Sequence, residues 1–183
     1  MSRRFFVWAA IVGLFLDQLT KIVVYGMFRS GAFSDARTLR LLGDVLKLAY
    51  EQNRQGVFGL HFGPQFLYFV LPLSASALVI WYGFRAKDAW SAAAFGMILS
   101  GALGNVIDRA RFGYVIDFIV FEMRGIGFQW YTFNLADALV VVGVIMLLGK
   151  ESLWRPKKTP ATAGAGANAG VTPAENGARA GHE

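Results

Sequence analysis

The sequence contains no cysteine and only two histidines, His61 and His182, among its 183 residues. The absence of cysteine excludes disulfides, thiolate catalysis and cysteine-ligated metal sites. Two histidines are also too few to build a histidine metal cluster within one chain. We therefore expect neither a metal nor another cofactor, and any catalysis must depend on other side chains, carboxylates above all.

Hydrophobic residues make up 55% of the sequence, whereas roughly 45–50% is usual in soluble domains. The excess is concentrated in long apolar runs, which indicates a membrane protein. The net charge of +6 would suggest nucleic acid as a partner of a soluble protein. In a membrane protein, the same charge fits basic residues at the cytoplasmic ends of spans and contacts with anionic lipid. We expect membrane lipids as partners and no nucleic acid.

Four apolar runs are long enough to cross a hydrocarbon core of about 30 Å. They predict an all-α membrane protein with four transmembrane helices and a small β-rich element on the outer face. The predicted spans are about 5–28, 66–84, 90–109 and 133–149, with outer segments 29–64 and 110–132. Basic residues concentrated near the N-terminus, at 85–88 and at 150–158 place both termini in the cytoplasm. Residues 1–155 form the membrane domain, and 156–183 form a disordered cytoplasmic tail.

The first apolar run follows Arg3 and Arg4, as the hydrophobic region of a signal peptide would. Asp17 and Lys21 interrupt this run, and no small-x-small cleavage site follows it, so we expect a retained helix. Asp17 and Lys21 are four residues apart and can pair on one helix face. The pair either fixes helix packing or belongs to a functional site, because ionisable residues within spans are functional candidates.

The third apolar run ends in polar residues at helical spacing. Gly96, Ser100, Gly104 and Asp108 recur every four residues and therefore share one stripe of a helix. Small residues at this spacing let a neighbouring helix approach closely. The stripe predicts a tight helix contact that leads directly into a polar cluster. Burying that cluster is costly unless its members satisfy one another.

The two outer segments carry strand and turn patterns. Residues 45–50 alternate loosely in polarity, and 114–121 are rich in aromatic and β-branched side chains, so both predict strands. Asn53 begins a glycine-containing turn, and segment 29–64 is expected to form a β-rich lid on the membrane surface. Aromatic residues near the boundary predict an interfacial belt, consisting of Tyr114, Phe118, Phe128, Trp130 and Tyr131.

Two acidic residues are expected to meet at the outer membrane boundary. Asp117 lies in the second outer segment, and Asp137 lies in the first turn of the helix that follows it. Two carboxyl groups at close range cannot both ionise, so one keeps its proton. The ionised group can activate a water while the protonated group polarises a carbonyl. The residues therefore suggest hydrolysis at the membrane surface.

Other interpretations fit the same residues. Asn134 and Asp137 could simply cap a helix. A transporter or channel could use Asp17, Lys21 and Asp108, although the polar residues gather on one side and no inverted repeat is visible. A membrane scaffold could use the cluster only to fix helix packing. A presenilin-type protease would need a Gly-x-Gly-Asp motif, whereas Asp117 follows Tyr-Val-Ile.

Three motifs occur in order along the chain. They are Asp17-Gln-x-Thr-Lys21, then Gly104-Asn-x-x-Asp-Arg109 with Asp117 eight residues later, and finally Phe133-Asn-x-Ala-Asp137. With these motifs the chain resembles the bacterial lipoprotein signal peptidases, also called signal peptidase II, from about residue 5 to residue 150.

The resemblance implies an aspartic endopeptidase of the bacterial inner membrane. Such an enzyme removes the signal peptide from diacylglyceryl-modified prolipoproteins, cutting before the lipidated cysteine with a water that two aspartates activate. Residues 1–155 would form a four-helix peptidase domain with its active site at the periplasmic face. Prolipoproteins and membrane lipids would be its partners, it would need no cofactor or metal, and it would act as a monomer.

The resemblance also assigns residues. The family's catalytic pair maps onto Asp117 and Asp137. Positions that bind or support the substrate site are matched by Asp17, Lys21, Asn53, Gly56, Asn105, Asp108, Arg109, Asn134 and Ala136. Arg109 is expected to satisfy Asp108, with stabilisation of negative charge on the substrate carbonyl as the alternative. The chain departs from the family pattern at Ser100 and Gln55, which stand at positions usually occupied by glycine.

Overall fold

The computed structural model describes residues 2–32, 38–43, 45–54, 64, 66–123 and 127–153. Within these residues, helices and short strands follow one another along the chain. The elements are α1 (Ser2–Arg29), β1 (Thr38–Leu42), β2 (Leu46–Asn53), α2 (Leu67–Arg85), α3 (Ala89–Phe112), β3 (Val115–Met123), β4 (Phe128–Gln129) and α4 (Leu135–Leu153).

Three helices, α1, α2 and α3, are long and apolar enough to cross a membrane. Helix α4 has 19 residues but is not among these candidate spans in the part of the chain that the structure describes. The fourth transmembrane helix therefore stays a prediction. Helix α3 runs three residues past its predicted end at Arg109, because Gly113 supplies the left-handed residue (φ 76°) that terminates it.

Helix α3 lies at the centre of the bundle and packs against α1, α2 and α4. The predicted small-residue stripe faces α1 and is buried along its length, at Gly96, Ser100, Gly104 and Asp108. A Cβ at Gly96 would clash with the backbone of Phe6, and one at Gly104 would clash with the carboxylate of Asp17. The predicted tight contact is therefore confirmed, and α1 is its partner.

The strands form one antiparallel sheet in the order β1-β2-β3-β4. Both predicted strands are present, but β2 extends to Asn53 and β3 extends to Met123. Strands β1 and β4 were not predicted. Asn53 pairs with Val115 and Glu51 pairs with Asp117, so the end of β2 lies beside the start of β3. In the described part of segment 29–64, the predicted lid consists of β1 and β2.

The sheet packs on the end of α1 through a cluster that contains Val24, Ile116 and Phe118. Phe118 is only 5% exposed, so its assignment to an interfacial belt is wrong. A residue in the middle of β3 is covered by the helices, whereas a belt residue must face outward. Trp130 and Tyr131, which follow the sheet, are exposed. Gln55, Gly56 and the predicted tail at 156–183 lie outside the described residues.

Candidate active site

Asp117 and Asp137 both contact a single residue, Asn134. The Nδ2 of Asn134 donates a hydrogen bond to Oδ1 of Asp117 at 2.6 Å. The backbone N–H of Asn134 donates to Oδ2 of Asp137 at 3.3 Å. Two carboxyl groups from a strand and a helix that are separate in the chain are therefore held on either side of one asparagine.

A β-bridge explains how the two aspartates come together. Ile119 pairs with Phe133, and the carbonyl of Phe133 accepts hydrogen bonds from the backbone N–H groups of Phe118 and Ile119 at 3.0 and 2.8 Å. The chain is thereby fixed to β3 just before α4 begins. Asn134, and Asp137 one turn later, are delivered beside Asp117.

Asn134 and Asp137 also cap α4. Oδ1 of Asn134 accepts from the backbone N–H of Asp137 at 3.0 Å, while the carboxylate of Asp137 accepts from the N–H of Asn134. This reciprocal pair is a capping box. The capping interpretation is therefore confirmed, and it accounts for both residues. It also places Asp137 in the first turn, at the positive end of the helix dipole.

Each carboxyl group has a second amide partner. Asn53 Nδ2 donates to Oδ2 of Asp117 at 2.9 Å, and Asn105 Nδ2 donates to Oδ1 of Asp137 at 2.8 Å. Asp117 is 2% exposed. Burial, and then the charge of neighbouring Asp137, raise the pKa of Asp117 to about 7. A carboxyl group with this pKa exchanges its proton near neutral pH.

A buried ion cluster lies against the pair. The Nζ of Lys21 is 3.0 Å from Oδ2 of Asp17 and 2.9 Å from Oδ2 of Asp108, so the predicted Asp17–Lys21 pair is confirmed. All three side chains are 2% exposed or less. Lys21 also donates to Oδ1 of Asn105 at 3.0 Å. The ion cluster is therefore connected to Asp137 through Asn105.

Further hydrogen bonds tie this cluster to the surrounding elements. Oδ1 of Asp17 accepts from the backbone N–H of Ala136 at 3.0 Å, and Asp108 accepts from that of Ile116 at 3.2 Å. Gln18 Nε2 donates to Asp17 at 3.1 Å and to Asp108 at 3.2 Å. Helices α1, α3 and α4 and strand β3 are thus joined by one polar network.

Arg109 lines a cleft of about 320 Å³, and neither Asp117 nor Asp137 is among the residues that form it. The cleft is formed by Arg54, Phe66, Tyr68, Phe69, Arg109 and Gly113. Arg109 interacts electrostatically with both Asp117 and Asp137. Asp108 receives its hydrogen bonds from Lys21, Gln18 and Ile116, so its burial does not depend on Arg109 alone. Guanidinium groups and aromatic rings together can hold a peptide that is partly apolar.

The predicted supporting residues are brought together around the aspartates, except Gly56, which lies outside the described residues. The group comprises Asp17, Lys21, Asn53, Asn105, Asp108, Arg109, Asn134 and Ala136. Ala136 is fully buried, and its carbonyl lies against Gly101 of α3. Sequence reasoning gave Gln18 no role. The feature that could have indicated a role is that Gln18 is a further polar side chain in the same apolar run as Asp17 and Lys21.

Comparisons with known proteins identify related sequences. A family model described as signal peptidase (SPase) II matches residues 9–152. The lipoprotein signal peptidase of Halothermothrix orenii is 32% identical over 149 residues, which cover 81% of this chain and 94% of that protein. The lipoprotein signal peptidase of Clostridioides difficile is 37% identical over 134 residues, which cover 72% and 84%.

Solved structures share the fold. A bacterial membrane enzyme determined by the in meso method at 1.9 Å has a TM-score of 0.65 and 25% sequence identity, and the match covers 84% of this chain and 94% of that one. A related structure at 2.3 Å gives a TM-score of 0.66. The family model spans most of the sequence, and the relatives match over most of their own lengths. The chain therefore belongs to the signal peptidase II family of membrane proteases.

Proposed function

We propose that the protein is an aspartic endopeptidase that removes the signal peptide from diacylglyceryl-modified prolipoproteins, cutting before the lipidated cysteine. One observation carries the proposal: Asp117 and Asp137 accept hydrogen bonds from the same residue, Asn134. Membership of the signal peptidase II family supports the substrate class. The scaffold alternative explains the buried ion cluster but gives no reason for a second carboxyl pair.

The proposed reaction needs one protonated and one ionised aspartate. The ionised carboxylate takes a proton from water as the water oxygen bonds to the peptide carbonyl carbon. The protonated carboxyl group gives its proton to the carbonyl oxygen, which becomes the hydroxyl of a tetrahedral intermediate. The C–N bond then breaks as the first aspartate gives the proton that came from water to the nitrogen. A hydroxyl proton of the intermediate returns to the second aspartate, which has become ionised. The pKa of about 7 for Asp117 supports a proton shared near neutral pH.

The remaining site residues are proposed as supports. Asn53, Asn105 and Asn134 hold the two carboxyl groups through the hydrogen bonds described above. Arg109 borders the cleft and is proposed to stabilise negative charge on the carbonyl oxygen. Gly56 is proposed from the family motif alone. The ion cluster of Asp17, Lys21 and Asp108 and the close packing at Ala136 are proposed to hold the helices in place.

We propose the bacterial inner membrane as the location of the enzyme. Residues 1–155 form the peptidase domain with α4 as the fourth span, 156–183 form a cytoplasmic tail, and both termini are cytoplasmic. The sheet and the aspartates then face the periplasm, and the enzyme acts as a monomer. On α1, Trp8, Phe15 and Ile22 recur every seven residues and are 65%, 63% and 58% exposed. Such a face suits contact with lipid.

This location suits the substrate. A lipidated precursor can approach sideways with its acyl chains still in the bilayer. Extracting those chains into water would cost about 0.8 kcal/mol for every CH₂ group. A site at the membrane boundary avoids that cost, and only the peptide needs to enter between the helices. Lipid attachment is therefore expected to determine which precursors are cut.

The test compares a diacylglyceryl-cysteine precursor with its unlipidated twin, both incubated with the purified protein in nanodiscs. Cleavage of the lipidated precursor alone is expected. Asp117→Asn and Asp137→Asn should each abolish cleavage while thermal unfolding shows a folded protein. Equal cleavage of the two precursors would contradict selection by the lipid. Normal turnover by either variant would remove the two-aspartate mechanism.

A further inference from the structure

The hydrogen bonds around Asp137 all come from groups that can only donate in their observed orientation. The ammonium group of Lys21 has no acceptor, so its 3.0 Å contact requires Asn105 to present Oδ1. The amide nitrogen of Asn105 is thereby directed at Oδ1 of Asp137. Oδ2 of Asp137 faces the backbone N–H of Asn134, which cannot change its polarity. Both contacts therefore favour the ionised form of Asp137, because a donor binds a charged carboxylate more strongly than a neutral carboxyl group.

Asp117 differs at only one of its two oxygens. Its Oδ1 accepts from Nδ2 of Asn134, and the backbone N–H of Asp137 fixes that amide by donating to its oxygen. Oδ2 of Asp117 contacts the carboxamide of Asn53, and a carboxamide turned by 180° presents an oxygen acceptor instead of a nitrogen donor. A protonated Asp117 can therefore donate to Asn53. Asp117 also lies within a strand, which has only a small dipole. Asp137 lies in the first turn of a helix, where a negative charge is stabilised.

We infer that Asp137 is the carboxylate that starts ionised and takes the proton from water, that Asp117 starts protonated, and that Lys21 sets this order by orienting the amide of Asn105. Lys21 and Asn105 are positioning residues in this scheme, because they act through Asp137. The inference rests on the proposed two-aspartate mechanism and deepens it. The burial-raised pKa of Asp117, about 7, agrees with a group that keeps its proton.

The charged groups around Asp117 and Asp137 come from several elements. They are Asp17 and Lys21 of α1, Asp108 and Arg109 of α3, and the two aspartates of β3 and α4 themselves. Arg109 interacts with both Asp117 and Asp137, so it does not by itself separate their roles. Lys21 also acts electrostatically on both Asp117 and Asp137, so its charge alone does not separate their roles either. What distinguishes Asp137 is the hydrogen-bonded connection from Lys21 through the Asn105 amide.

The pH dependence of kcat/KM can test this assignment. In a bell-shaped profile, the acid limb reports the base and the alkaline limb reports the acid of the free enzyme. Asn105→Ala removes a donor from Asp137 and should move the acid limb to higher pH by about one to two units. Asn53→Ala removes an amide that can accept from protonated Asp117 and donate to its ionised form. Because the bond to the charged form is the stronger of the two, its loss should move the alkaline limb to higher pH.

Two further variants test the part played by Lys21. Lys21→Met removes one of the two donors that hold Oδ1 of Asn105, the other being Nδ2 of Asn134 at 3.1 Å. It should therefore move the acid limb in the same direction as Asn105→Ala but by less. Adding Lys21→Met to Asn105→Ala should then shift the acid limb by less than the sum of the separate shifts. Lys21→Arg keeps a cation and should leave the acid limb closer to that of the unaltered protein. If Lys21→Met does not fold, the Asn105 and Lys21→Arg variants still decide.

Ser100→Ala is the matched control. Ser100 is a buried polar residue of the same helix as Asn105, and its hydroxyl donates to the carbonyl of Met97 within that helix. Its loss should move neither limb. All variants are measured in the same nanodiscs, with thermal unfolding as the check of folding.

The pH profiles of these variants distinguish between the two assignments of the aspartates. If Asn105→Ala moves the alkaline limb and Asn53→Ala moves the acid limb, the order of the aspartates is the reverse and the inference is wrong. A uniform loss of rate with both limbs in place would reduce Lys21 and Asn105 to structural roles and would also overturn it. Retained cleavage by Asp117→Asn or Asp137→Asn would instead overturn the two-aspartate mechanism itself.

Discussion

Gly104 offers a sharp test of how α1 and α3 are joined at the site. Its hydrogen faces Asp17, and a Cβ at this position would overlap Oδ2 of that carboxylate and lie 3.0 Å from its Cγ. Asp17 is fully buried and is held by Lys21 at 3.0 Å and by the N–H of Ala136 at 3.0 Å. The carboxylate therefore cannot move aside without losing a partner. Gly104→Ala should destabilise the protein and lower cleavage.

The size of the effect follows from two opposing contributions. Replacing a helical glycine by alanine gains about 1 kcal/mol of helix propensity. Separating a partner from a buried ion pair costs about 3–5 kcal/mol. The net loss should be about 2–4 kcal/mol, which corresponds to a fall of about 5–15 °C in Tm for a chain of this size.

Gly26→Ala is the matched control. Gly26 is also in a helix, α1, and a Cβ there meets nothing within 4 Å. This variant should keep the propensity gain and unfold at the same or a slightly higher temperature than the unaltered protein. The assay is thermal unfolding in one detergent together with cleavage of a lipidated precursor. If Gly104→Ala were as stable as Gly26→Ala, the close contact with Asp17 would not exist and the reasoning would be refuted.

Other predictions concern separate parts of the molecule. The pKa of Asp117 is raised from 3.8 to about 7, so protonated Asp117 stabilises the fold fully below about pH 3.8, and this contribution is lost as the pH rises to about 7. An asparagine at this position does not ionise. Asp117→Asn should therefore raise Tm more at pH 8 than at pH 5. Far from the site, Lys150 contacts Asp88 and, with the N–H of Ser91, lowers the pKa of Asp88 to about 2. Because this pair is over one-third exposed, Lys150→Ala should cost less than about 1 kcal/mol of unfolding free energy and leave cleavage unchanged. Its small effect should disappear as the pH falls from about 4 to 2. Tyr50→Phe removes a 3.1 Å hydroxyl contact with Tyr114, which directly precedes β3, and should lower stability by about 1 kcal/mol in chemical denaturation.

Several features of the fold and site followed from local patterns. Residues four apart on a helix share a face, so the spacing from Gly96 to Asp108 was enough to predict a close helix contact. The same rule predicted the pair of Asp17 and Lys21. The location of β2 followed from the loose alternation of polarity over residues 45–50, and that of β3 from β-branched and aromatic composition. The order of the motifs along the chain was enough to indicate the family that the comparisons confirmed.

Other features depended on contacts between distant parts of the chain. Nothing near Gln18 in the sequence indicates that it reaches Asp108, 90 residues away. Strand β4 has only two residues and is defined by its pairing with β3, so its own composition could not reveal it. Phe118 resembled a belt aromatic by type, but packing against Val24 buries it. The end of α3 at Phe112 was also missed, because the three residues after Arg109 remain helical although the apolar run has already ended.

By itself, the sequence determined which chemistry was available, because it contains carboxylates and no thiols. It also determined which residues would share a helix face, because the periodicity of a helix is local. Only the tertiary structure decided that the bridge between Ile119 and Phe133 carries Asn134 to Asp117, and that Lys21 turns the amide of Asn105 toward Asp137. These contacts join residues far apart in the chain. Their geometry depends on how whole elements pack, which no local pattern encodes.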